Sequence, residues 1–177
     1  CMNDCFTLRE NGTSTEIKRA ASFIINAMQI LFSANLMYTD MKLENVGIVD
    51  NKRYCLLDLE SIMSYTAPTQ PCSSTFMPDK KWIKQPHLQQ RLPFYGAACT
   101  FVDLANAITK QENIDPINHK HQFIILLKDA IKHTNCVQKQ LYKIALFFYN
   151  QSQTNEGVIN PIDSCARAMH WLHNANI

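Results

Sequence analysis

A chain of 177 residues, 46% hydrophobic and 18% charged, has the composition of one globular domain. Its formal net charge of +2 is too small to argue for nucleic acid or an anionic membrane as partner. Its longest apolar runs, 123–127 and 144–149, fall far short of the roughly 20 residues that span a bilayer.

In chain order, residues 1–12 form a short opening segment. Thr13 with Glu16 three residues on matches a capping box, which satisfies free amides at a helix start. Behind it Ile17, Ala20, Ala21, Ile24, Met28, Leu31 and Phe32 recur at three- and four-residue spacing, so the pattern predicts a long helix over 13–36. Two short strands, 46–49 and 54–57, flank the turn residues Asp50-Asn51-Lys52. Residues 61–93 are rich in Pro, Ser and Thr and read as a long irregular segment, of the kind that in a compact domain is functional or disordered. Four more helices follow, at about 94–109, 119–133, 137–150 and 161–174, the last with Asn160 as N-cap and Pro161 at its first position. The expected fold is therefore mostly α (α+β), a helical bundle carrying a small β-hairpin, in a single domain over 1–177.

Seven cysteines, with no C-x-x-C pair, read as small buried hydrophobes in a reducing compartment. The expected compartment is therefore the inside of the cell, in the cytoplasm. His119 with His121, and His170 with His173, lack a third metal ligand at convincing spacing and read as surface or capping residues. Lys80, Lys81 and Lys84 around Trp82 read as a solvated loop face.

The run Tyr38-Thr39-Asp40-Met41-Lys42-Leu43-Glu44-Asn45, then Asp58-Leu59-Glu60 at the end of a hydrophobic strand, is the most informative stretch. Phosphoryl transfer needs phosphates held by divalent ions and an acceptor hydroxyl that is aligned and relieved of its proton. A carboxylate, a nearby ammonium and two hard oxygen donors are suitable groups for that chemistry. The spacing resembles the catalytic loop HRDLKPEN and the DFG motif of the protein kinases. By that resemblance Asp40 is the base, Lys42 the phosphate contact, and Asn45 and Asp58 the ligands of Mg²⁺ bound with ATP.

Met77-Pro78-Asp79 resembles the APE motif that ends a kinase activation segment, and Arg167 would be the ion-pair partner of Asp79. Met2 to Leu8 looks like the hinge between kinase lobes. The resemblance covers the lower lobe only, 13–36 being its long helix, 37–60 the catalytic loop and hairpin, 61–93 the activation segment and 94–177 the helical subdomain. Tyr38 and Thr39 stand where the family has His and Arg, and Glu60 replaces the Gly of DFG, a permissive backbone position. Of the Asp-x-Trp-Ser-x-Gly that opens the next kinase helix only Gly96 is present. The four glycines (12, 47, 96 and 157) form no G-x-G-x-x-G.

These departures lead to the expectation of a truncated kinase-like protein, a pseudokinase that acts by protein binding: a decoy or inhibitor of a genuine kinase, as some viral truncated kinases are, or a self-associating dimer. On the viral analogy its compartment is the host cytoplasm, and it needs no cofactor. The alternative is the lower lobe of an active protein kinase using Mg²⁺ and ATP, its upper lobe removed before Cys1 or supplied by another chain. A small-molecule phosphotransferase also ends its motif in Asp-x-Glu, but Lys42 argues against that group, which more often has His there.

Overall fold

The computed structural model describes residues 2–49, 53–68, 75–110, 114–119, 121–134, 136–154 and 160–174. It is mostly helical with two small antiparallel sheets, an α+β arrangement.

The capping box at Thr13 is formed in both directions, Glu16 N donating to Thr13 Oγ1 and Thr13 N to the Glu16 carboxylate. It opens helix α2, Ser14–Ser33. The helix ends at Asn35, whose positive φ of 57° is a conformation Asn tolerates better than most residues. Of its expected stripe Ile17, Ala20, Ala21, Ile24, Met28 and Phe32 are buried and Leu31 half-buried, and Ile25 and Ala27 widen it. Ahead of it lie a strand β1, Met2–Asp4, and a one-turn helix α1, Leu8–Asn11. The sequence pattern left both in an undivided opening segment.

The expected hairpin is formed by β3, Val46–Val49, and β4, Arg53–Leu56, with Gly47 opposite Cys55. Its turn residues 50–52 lie outside the described residues. The hairpin is part of a larger sheet, because β1 pairs along the other edge of β3 to give the order β1-β3-β4. A second sheet joins β2, Leu36–Tyr38, to β5, Ile62–Ser64, so the first residues of the motif run are a strand rather than loop. The segment 61–93 also holds more regular structure than its composition implied: β5, a 3-10 turn over Lys80–Ile83, and a short helix α3, Pro86–Gln89.

Helix α4, Leu92–Thr109, is the centre of the fold. Every residue from Leu92 to Ala107 is buried, so this helix is covered on all sides. Helix α6, Cys136–Gln153, packs along it, α5, Phe123–His133, packs on α6, and α7, Pro161–His173, packs on α2. Phe148 of α6 sits between Phe94 and Phe101 of α4, with ring centroids 6.2 and 5.8 Å away. Buried polar groups on this floor are paired: Tyr142 Oη donates to Asn106 Oδ1 (2.9 Å), and Gln138 Nε2 to the Ala105 carbonyl (3.1 Å). Arg9 of α1 reaches the buried carboxylate of Asp103 on α4 at 2.8 Å. Asn160 caps α7 by accepting from Ile162 N, with Pro161 at the first position as expected. Cys5, Cys55, Cys99 and Cys165 carry free thiols.

Candidate functional site

The motif loop runs from the end of β2 to the start of β3 and rests on α4. Met41 and Leu43 are buried and anchor it from below. A Cβ on Gly96 would lie 3.3 Å from the Met41 carbonyl oxygen, so at this point glycine lets the helix backbone approach the loop backbone. One turn on, Thr100 Oγ1 lies 2.9 Å from that same carbonyl and 2.8 Å from its own helix's Gly96 carbonyl, sharing its proton between them.

Three of the expected site residues meet directly. Asp40 is 7% exposed, and its Oδ2 accepts from Lys42 Nζ at 2.9 Å and from Asn45 Nδ2 at 3.0 Å. Asn45 Nδ2 also donates to the Asp40 carbonyl at 2.9 Å, which ties the two ends of the loop together. The other carboxylate oxygen accepts from the backbone N–H of Thr75 at 2.6 Å, and Lys42 Nζ reaches Thr75 Oγ1 at 2.8 Å. A buried carboxylate is tolerable only with such charge-assisted donors around it.

Asp58 joins through the backbone. Leu57 N donates to the Asn45 carbonyl (2.8 Å), and Tyr38 Oη donates to the Leu57 carbonyl (2.5 Å). Burial pushes the Tyr38 phenol well above its ordinary range, the Asp58 and Asp40 charges push it further, and Asn45 offsets part of the rise. Both carboxylates thus act on one phenol. Asp58 is exposed and left-handed (φ 51°, ψ 59°), a conformation that Asp, like Asn, tolerates better than most side chains. The permissive backbone position expected at Glu60 is therefore not where the turn needs it. Glu60 lies within the 3-10 turn Leu59–Ser61, and Asp58 carries the positive φ instead.

The two departures from the kinase loop have structural work in this chain. Tyr38 holds the end of the hairpin, and Thr39 holds β5, its N–H and Oγ1 both directed at the Ser61 carbonyl (3.0 and 3.2 Å). The remaining expected residues have other described contacts. Pro78 precedes Asp79, which caps the 3-10 turn by accepting from Lys81 N (2.9 Å) and lies 3.4 Å from Lys81 Nζ. The Arg167 guanidinium lies over the Phe147 ring, 5.9 Å from its centroid. Each of the two charges that the resemblance pairs has another described neighbour.

As a cation site the loop offers oxygen donors only. With both Nδ2 contacts spent on Asp40, the remaining polar atom of the Asn45 side chain is Oδ1, and Asp58 is open to solvent. Two hard oxygens suit Mg²⁺, which keeps several waters and completes its shell with substrate phosphates. Among the described residues no group of three His, Cys, Asp or Glu side chains is arranged to hold a metal. His119 Nδ1 accepts from Asp115 N (3.0 Å) and His170 Nε2 meets Asn174 Nδ2 (2.9 Å), both local contacts. Trp82 is buried edge-to-face against Tyr95 and is not part of an exposed basic patch.

Thr75, Thr100 and the packing role of Gly96 were not read from the sequence as parts of this site. A lone glycine inside a helical run was a usable signal for the last. Thr75 had none, since its partners lie more than thirty positions away. No model of a known protein family matches this chain, and no curated protein matches it. No helix among the described residues is long and apolar enough to cross a membrane.

Proposed function

We propose that this chain is a protein-kinase-like lower lobe that works by binding another protein, either a genuine kinase that it inhibits as a decoy or a second copy of itself. The observation that carries this reading is the contrast within the motif. The carboxylate of Asp40 is buried and engaged on both oxygens by the chain's own Lys42, Asn45 and Thr75, while Asp58 and Leu59 beside it stand exposed, Leu59 by 62%. With three donors on a carboxylate that has about four acceptor sites, Asp40 has little room left to receive a substrate proton. An apolar side chain at the rim is a contact a partner can cover, worth about 1.5–3 kcal/mol for a leucine.

The test is light scattering of the purified chain, together with its titration into purified protein kinases phosphorylating a peptide. Association or inhibition that Leu59→Glu weakens by about tenfold or more supports the reading. A monomer that changes no kinase's rate overturns it.

A second reading, phosphoryl transfer with the nucleotide-covering half supplied from elsewhere, is favoured by one observation: Asp58 is exposed, with Ser61 Oγ on its Oδ2 at 3.4 Å and its other carboxylate oxygen open to a cation. ATP bound with Mg²⁺ would draw its charge neutralisation from that ion, and Lys42 would orient the transferred phosphate. Calorimetric titration with ATP, with and without Mg²⁺ or Mn²⁺, separates the two readings. Metal-dependent heat lost in Asp58→Asn favours the second, and no heat at millimolar nucleotide favours the first.

A further inference from the structure

Helices α6 and α7 leave a groove of about 470 Å³ on their outer side, remote from the motif loop in sequence and sharing no residue with it. Its apolar part is Leu146, Phe147 and Trp171, and its polar edge is Gln140, Lys143 and Asn150. The two rings meet edge-to-face, 5.2 Å apart and inclined by 73°, so the floor has a fixed shape. Arg167 lies against that floor over Phe147, which holds its planar guanidinium in place. Lys143 and Arg167 are both exposed, no acidic side chain among the described residues lines the groove, and α6 contains none at all. The acid on α7 is the exposed Asp163, one turn before Arg167.

We infer that this groove is a docking site for an acidic protein segment with an aromatic or branched apolar anchor. The anchor packs on the wall that Leu146, Phe147 and Trp171 form together, and flanking carboxylates meet Lys143 and Arg167. The volume lies in the range of about 300–1,000 Å³ typical of pockets that bind a compact group. Two cations beside a mainly apolar wall are too few for a nucleic-acid backbone, whose binders neutralise several phosphates at once. They match instead a peptide that combines apolar burial with a few directed carboxylate contacts. This inference stands apart from the function proposed above, because neither Leu59 nor Asp58 takes part.

The test is selection of a displayed library of random dodecapeptides on the purified chain, followed by polarisation titration of the enriched peptides. The expected winners carry Asp or Glu around a Trp, Phe or Leu. They bind Lys143→Glu and Arg167→Glu about tenfold or more weakly, lose affinity as salt rises, and bind Leu59→Glu unchanged. Both reversals are at exposed positions, and thermal melts check that each variant is folded. The inference is overturned if nothing is enriched, or if enriched peptides bind the doubly reversed chain as well as the native one. It is equally overturned if phosphatidylserine vesicles or an oligo-dT strand bind this face more tightly than any peptide.

Discussion

Helix α4 and the rim Asp58-Leu59-Glu60 are opposites. Sixteen consecutive residues of α4 are buried, whereas all three rim residues are exposed. The floor holds the folding energy and the rim holds the accessible chemistry. They communicate through the motif loop, at the contact of Gly96 and Thr100 with Met41. A fold built this way can tolerate many changes at its rim without moving it, but few at that contact.

The largest expected effect tests the floor. Phe101→Ala, at a fully buried position, should cost about 3–5 kcal/mol in urea unfolding. Gly96→Leu should cost about 1–3 kcal/mol by overpacking, and it should also displace the loop, so any metal-dependent nucleotide heat falls with it. Thr100→Val removes the donor to Met41 while keeping the volume and should cost about 1 kcal/mol. At the rim, Asp58→Asn should change stability by no more than about 0.5 kcal/mol, and a larger loss would show that the rim is structural after all.

Two titrations refine the picture. Hydrogen bonds from Thr13 lower the Glu16 carboxyl below its ordinary value, so its contribution is present above that value and is lost as pH falls through the lower folded one. Glu16→Gln should flatten the acid limb of the stability curve. Burial pushes the Tyr65 phenol up to about 12, and its hydroxyl has no described protein partner. Its contribution is therefore present below the ordinary phenol range and lost as pH rises toward about 12. Tyr65→Phe should remove part of the alkaline loss while costing little at neutral pH.

The helices and the hairpin were legible because each follows from a local pattern. A three- and four-residue stripe with a capping box gave α2, and Asn-Pro gave the start of α7. Strands β1, β2 and β5 were not legible. Each is three residues long, too short for an alternating pattern, and exists because a distant strand supplies its hydrogen bonds. The site divides in the same way. Asp40, Lys42 and Asn45 lie within six positions and were read together, and their contact is what the loop geometry produces. Tyr38 and Thr39 were read only as departures from a motif, because their partners Leu57 and Ser61 are set by tertiary pairing.

The amide of Thr75 on Asp40 has a consequence for anything that approaches this loop. It belongs to the same molecule, so it competes at the effective concentration of a tethered group, which for short links reaches the order of millimolar. An incoming hydroxyl or carboxylic acid must therefore outcompete a resident rival that cannot diffuse away. Ser61 and Thr75 are both tied to one short loop, by Thr39 and by Asp40. Releasing Thr75 would free the Oδ1 of that carboxylate, while Lys42 and Asn45 keep its Oδ2.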